Sequence, residues 1–189
     1  MKTQYYTAST LNGFLATTDH SLDWLMQFTV AGTSYDDFIR DVGALAMGSH
    51  TYEWVLHELG FTSDKPQQKW HYEQPTFVFT SRPLAAPPGV NVRFVSGDVR
   101  AVHDAMIEVA GTKNRWIVGG GELAGQFHDA GLLDELIIQI TAVTLASGMP
   151  LLPRNIITPP LKLTSVQQYG DAFAELRYEV HKPAQAPAS

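Results

Sequence analysis

The sequence predicts an α/β protein whose central sheet is mixed, mostly parallel, with an antiparallel edge at its C-terminal end. Three observations carry this expectation. Short apolar stretches of strand length alternate with segments whose apolar residues recur at helical spacing, the pattern of strands joined by helical crossovers. The last two strand-like stretches, 161–169 and 173–181, are separated only by a Gly170-Asp171 turn, so they pair as a hairpin. The 189 residues are 44% hydrophobic and 17% charged, enough apolar material for one sizeable core.

The elements follow in order. Residues 4–9 form a first strand, and Asn12-Gly13 marks a turn after it. Tyr35, Phe38, Ile39 and Val42 recur at i, i+3, i+4 and i+7, which predicts an amphipathic helix. Residues 44–47 form a buried strand ending at Gly48, a helix covers 51–59, and 63–72 is a polar loop. A strand over 76–80 is bounded by Pro75 and Pro83, and another covers 90–95. Val102, Ala105, Met106 and Val109 give a further helix with Asp98 as its N-cap. A strand over 115–118 runs into Gly119-Gly120-Gly121, a helix then stops near Gly131, and an apolar strand covers 135–142. The Pro/Ala-rich tail, 182–189, frays, leaving one domain over 1–181.

Composition narrows the function. The net charge is −6 and the 13 Lys and Arg form no cluster, which argues against a nucleic-acid surface. The absence of cysteine excludes disulfides, thiolate metal sites and a cysteine nucleophile. No leader and no membrane-length apolar run is present, so a cytoplasmic protein is expected. The seven histidines form no HExxH pattern, so no metal is expected, and there is no G-x-S-x-G of a serine hydrolase.

The strongest local signal is Trp116-Ile117-Val118-Gly119-Gly120-Gly121-Glu122-Leu123. A strand enters three glycines and a helix starts at once. Glycines let a ligand approach the backbone, and a helix N-terminus offers unpaired N–H groups and the positive end of the dipole, which suits a phosphate. The spacing is not that of the GxGxxG fingerprint, and a tight turn without a ligand would look the same.

Several segments, in order, resemble a known family. Val118-Gly-Gly-Gly-Glu-Leu-Ala with Phe127 and Ala130-Gly131-Leu132-Leu133-Asp134-Glu135-Leu136 is similar to a stretch of the riboflavin-biosynthesis reductase domain (RibD C-terminal-like) of the dihydrofolate-reductase-like superfamily. Leu145-Ala-Ser-Gly-Met-Pro-Leu-Leu152 resembles its "L-G-x-G-x-P-L-F" segment, Ser9-Thr-Leu-Asn-Gly-Phe-Leu-Ala16 its "S-x-D-G-F-I-A", and Met47-Gly-Ser-His-Thr-Tyr-Glu53 its "M-G-R-x-T-Y/W-E". Residues 77–83 resemble its strand leading to the adenosine site.

The resemblance implies a three-layer α/β/α sandwich and an NADPH-dependent reductase that acts on a small heterocycle of ribosylamino-pyrimidine or pterin type. It implies that Gly119, Gly120, Gly121, Glu122 and Leu123 hold the pyrophosphate and that Ala8 and Leu15 meet the nicotinamide. Gly48, Ser49, His50 and Thr51 would sit beside the phosphates, with Ser81 and Arg82 near the adenosine ribose. Two departures stand out: Asn12 replaces the usual Asp, and Ser49 replaces the Arg after the glycine, so that a cationic contact to the cofactor is missing or relocated, with His50 and Arg82 the nearby candidates in sequence. On the substrate side, Trp24, Asp36 and Asp37 fall where dihydrofolate reductases keep the wall and the acid of their pterin pocket, which makes the two aspartates the catalytic candidates, and Gln139 lies on the strand after the glycine-turn helix, where it would face the substrate. A homodimer is expected, from the family's habit and from the apolar runs 136–143 and 149–152. The departures keep open a non-catalytic nucleotide-binding protein that retains the fold.

Overall fold

A computed structural model of the chain describes residues 1–28 and 34–182. Its elements are β1 (Thr3–Thr10), β2 (Phe14–Ala16), α1 (Asp23–Met26), α2 (Tyr35–Arg40), β3 (Val42–Gly48), α3 (Ser49–Glu58), β4 (Thr76–Phe79) and β5 (Val92–Val95). There follow α4 (Val99–Ala110), β6 (Asn114–Gly119), α5 (Gly121–Asp129), β7 (Glu135–Thr141), β8 (Met149–Pro150), β9 (Lys162–Tyr169) and β10 (Phe173–Glu179).

Eight strands form one sheet in the order β5-β4-β3-β6-β1-β7-β10-β9. The six strands from β5 to β7 run parallel, and β10 is antiparallel to both β7 and β9. This is the expected mixed sheet with an antiparallel C-terminal edge. A parallel sheet needs cover on both faces. One face packs Tyr5, Ala46, Ile117 and Ile138 against Val102 and Met106 of α4 and Phe127 of α5. The other packs Leu45, Trp116 and Ile137 against Phe38 of α2, and Met47 and Val78 against Tyr52 and Val55 of α3.

Local rules explain most boundaries. The Asp98 carboxylate accepts a hydrogen bond from the Arg100 N–H at 2.9 Å, capping α4. Val42 belongs to β3, not to the helix before it: α2 stops at Arg40, and fully buried Val42 joins Ala44–Met47 in the strand. A β-branched residue leading an apolar run sits better between two sheet neighbours than at a helix end. The pair β2–β8, three and two residues long, had no sequence signal strong enough to mark it.

The apolar run behind the dimer expectation is core. Leu136, Ile137 and Ile138 are buried between β1 and β10. Exposed apolar side chains instead sit on the edge strand β9, where Leu163 is 52% and Val166 63% exposed. The expected frayed tail lies outside the described residues apart from Lys182, whose ammonium pairs with Asp134 at 2.6 Å. No helix among the described residues is long and apolar enough to cross a membrane.

Candidate functional site

A cleft of about 550 Å³ opens at the carboxyl ends of β1, β3, β4 and β6, where open α/β sheets place ligands. Two helices begin at it. α5 starts after Gly120, and α3 starts after Gly48; both caps are extended and neither start is capped by a side chain. The first N–H groups of both helices are therefore left for another partner. Gly48, Ser49, His50 and Thr51 line the cleft from α3, and Gly119 to Leu123 line it from the glycine turn. Ala8 and Leu15 line it too.

The three glycines have different reasons to be glycine. A Cβ on Gly121 would lie 2.2 Å from the Pro150 carbonyl oxygen and 2.5 Å from that of Leu151, so this residue lets the strand β8 region cross over the start of α5. A Cβ on Gly119 would press on Thr51 Oγ1 at 3.2 Å. A Cβ on Gly120 would meet nothing within 4 Å. Gly120 lines the cleft, so its bare Cα leaves open space for a ligand rather than for packing. The peptide bond between Gly119 and Gly120 is cis.

Charge around the cradle is arranged from several elements. Glu122, on the first turn of α5, accepts two hydrogen bonds from the Arg154 guanidinium at 2.8 and 2.9 Å, which hold its carboxyl below the ordinary range. The same guanidinium donates from Nε to Asp129 at 2.6 Å. Arg82 does not line the cleft; its side chain reaches back to donate to Ser49 Oγ at 3.2 Å and to Glu53 at 2.7 Å. Neither Ser81 nor Arg82 lines the cleft, but Arg82 bonds from behind to Ser49, which does. Asn12 donates to the Leu145 carbonyl at 2.6 Å and accepts from the Leu145 N–H at 3.2 Å. A carboxylate could make only the second contact, so Asn12 in place of Asp ties two loops together.

The substrate-side candidates are placed less directly. Asp36 and Asp37 are exposed on α2, and Asp37 pairs with Arg40. Trp24 is buried between Leu22 and Leu25, which line the cleft while it does not. Gln139 is buried beside the cleft-lining Ala8, its partner across the sheet register. Its amide donates to the Tyr6 hydroxyl at 2.8 Å and to Glu175 at 3.0 Å. Glu175, 1% exposed, also accepts from the Ser34 hydroxyl and from Arg177 Nε at 2.9 Å. Burial, reinforced by the Glu175 charge, pushes the Tyr6 hydroxyl up to about 12. Tyr6, Gln139 and Glu175 come from strands far apart in sequence, so no local motif could reveal this cluster. His20, Met149 and Pro150 also line the cleft without having been expected there.

Comparison with known proteins shows the family and the fold. The family model of the RibD C-terminal domain matches residues 2–174. The uncharacterized protein YwjB of Bacillus subtilis (strain 168) is 34% identical over 178 residues, 94% of this chain and 97% of that protein. A crystal structure from Shewanella sp. PV-4, described as a riboflavin biosynthesis protein, superposes with a TM-score of 0.77 at 24% identity, covering 96% of this chain and 100% of that one. Dihydrofolate reductase from Enterococcus faecalis, complexed with NADP(H) and RAB-propyl, superposes with a TM-score of 0.57 at 16% identity, over 94% and 95% of the two chains. The fold is thus dihydrofolate-reductase-like, and the chain belongs to the RibD C-terminal domain family.

Proposed function

We propose that this chain is an NADPH-dependent reductase that delivers hydride to a C=N or C=O carbon of a small ribosylamino-pyrimidine or pterin-like heterocycle. The observation that carries this is the convergence of two uncapped helix N-termini on one cleft, with Gly120 bare toward the open space. That combination fits a diphosphate, and the family and the NADP(H) bound by its dihydrofolate reductase relative favour a dinucleotide.

When bound, the nicotinamide supplies the hydride. The chain's own residues bind and orient, and the proton that completes the reduction at nitrogen or oxygen comes from solvent. Gly120 to Leu123 and Gly48 to Thr51 would hold the diphosphate through backbone N–H groups. Ala8 and Leu15 would orient the nicotinamide end, and Leu22 and Leu25 would exclude water from it. Positioning of this kind is the protein's main contribution to hydride transfer. Ser81 and Arg82 would act from behind Ser49 on the adenosine side. Trp24 and Gln139 would stand behind the cleft wall on the substrate side, and Asp36 and Asp37, facing solvent, are the weakest members of the set. Residues 1–181 would form the reductase domain, the cytoplasm would be its setting, and the exposed apolar edge at β9 would pair two copies.

The test is substrate-dependent oxidation of NADPH deuterated at C4, offered with a ribosylamino-pyrimidine and with a dihydropterin. Deuterium recovered in the reduced product supports the proposal. NADPH binding without turnover on either class would instead support a nucleotide-binding protein that retains the fold.

A further inference from the structure

The loop between β2 and α1 carries a histidine that the proposed chemistry does not use. His20 lines the cleft, and so does His50 at the start of α3. Their rings stack with centroids 4.2 Å apart and planes 14° from parallel. The stack is a built feature. The loop is closed on itself by hydrogen bonds from Thr17 N–H to the Ser21 carbonyl at 3.1 Å and from His20 N–H to the Thr17 carbonyl at 3.0 Å. Thr17 Oγ1 adds a bond to Asp19 at 2.5 Å and accepts one from Ser21 N–H at 3.0 Å. His20 itself is held at φ +66, a conformation that L residues seldom adopt. Among the described residues, neither imidazole has a hydrogen-bond partner, so their ring nitrogens are available to a ligand.

We propose that His20 and His50 form a proton-dependent anion clamp that fastens the 17–22 loop over a phosphate group of the bound ligand. The proposal rests on the cleft being the dinucleotide site, and it adds the residue and the regulation.

With the His50 ring stacked on it and no anion present, His20 resists taking a proton. Burial and the neighbouring His50 lower the affinity of His20 for a proton; Asp19 and Glu53 offset this in part. The other charges around the pair are already engaged. Glu53 on α3 is held by Arg82, which follows β4, and Glu122 on α5 is held by Arg154. A phosphate between the rings and the start of α3 offsets this resistance and gives the His20 imidazolium an acceptor. Ligand binding therefore takes up protons. Affinity rises as pH falls through the proton affinity of His20 in the bound state, and levels off below that of the free state.

The experiment is calorimetric titration of the full chain with NADP⁺ from about pH 8 to about pH 5.5, in buffers of different ionisation enthalpy, across the histidine range. The comparison variants are His20→Phe, which keeps a flat ring, and His20→Asn, which suits the left-handed backbone and does not titrate. The ligand's own titration is common to all proteins and cancels in the ratio. The clamp predicts that wild type takes up about one proton on binding, and that the ratio of variant to wild-type Kd grows about tenfold across the window, as one linked proton allows. A folded variant of either kind that keeps the wild-type proton uptake and pH dependence overturns the clamp while leaving the cofactor reading intact. A wild type that binds no NADP⁺ at any pH overturns the cofactor reading itself.

Discussion

Arg82 donates to the Ser49 hydroxyl at 3.2 Å and to Glu53 at 2.7 Å. Ser49, the residue that stands where the family pattern carries Arg, is thus met by a guanidinium from the end of another strand. NADPH differs from NADH by a ribose phosphate, which a guanidinium suits and a carboxylate opposes. Arg82→Glu should weaken NADPH binding about tenfold, equivalent to about 1.4 kcal/mol, with NADH nearly unchanged. Glu53→Gln should strengthen NADPH binding by freeing Arg82. Equal weakening of both cofactors by Arg82→Glu, in fluorescence titrations, would reduce Arg82 to a helix-to-loop tie.

Gly121 is predicted to matter for folding. Its Cβ would sit 2.2 Å from a backbone oxygen that cannot turn aside. Gly121→Ala should lower stability by about 1–3 kcal/mol or more, the usual cost of overpacking. Denaturant unfolding checks this, and an unshifted midpoint would show that the β8 segment yields easily.

The buried Glu175 carboxylate organises Gln139, Ser34 and Arg177. Glu175→Ala leaves the Gln139 amide in the interior with one partner fewer, while Arg177 reaches water. The expected cost is about 1–3 kcal/mol. Glu175→Gln keeps an acceptor and should cost less. Equal unfolding midpoints for the two variants would mean that packing, not the polar contacts, sets the stability here.

His103 is buried on α4, with Nε2 2.8 Å from the Thr3 hydroxyl. Burial, and then the Arg115 charge, lower its affinity for a proton below the ordinary histidine value. The unfolded chain therefore binds this proton first. Stability should fall as pH drops through the unfolded histidine range near pH 6.5, and the loss should level off below the folded value. His103→Gln should flatten this part of the stability profile between about pH 7.5 and about pH 5. A profile as steep as wild type would assign the loss to other groups.

Much of the fold was legible in the sequence because its signals are local. The helical period of Val102 to Val109 with its Asp98 cap, the run from Trp116 into the glycines, and the Gly170-Asp171 turn each lie within a dozen residues. The α3 start, the glycine turn, Ala8 and Leu15 were legible through ordered motifs, and all of them line the cleft. What escaped depends on long-range geometry. Arg82 meets Ser49 across 33 positions, Gln139 meets Tyr6 across 133, and His20 meets His50 only because the loop folds back over α3. The antiparallel C-terminal edge was legible from the hairpin, but which apolar strand lies open to a partner was not. An apolar strand such as 136–141 looks the same whether it is covered by neighbours or by a second copy, and only strand order shows that β9 is the exposed one.

The open face of Gly120 is the proposed seat of the diphosphate of a nicotinamide dinucleotide. The most direct measurement is the NADPH affinity of Gly120→Val against wild type, read from nicotinamide fluorescence, with thermal unfolding as the control. A Cβ at this position meets nothing within 4 Å in the protein, and thermal unfolding checks that the γ-methyls of Val are tolerated as well. It should bind NADPH at least about tenfold more weakly, a loss of about 1.4 kcal/mol or more. A folded Gly120→Val protein with wild-type NADPH affinity would contradict the account.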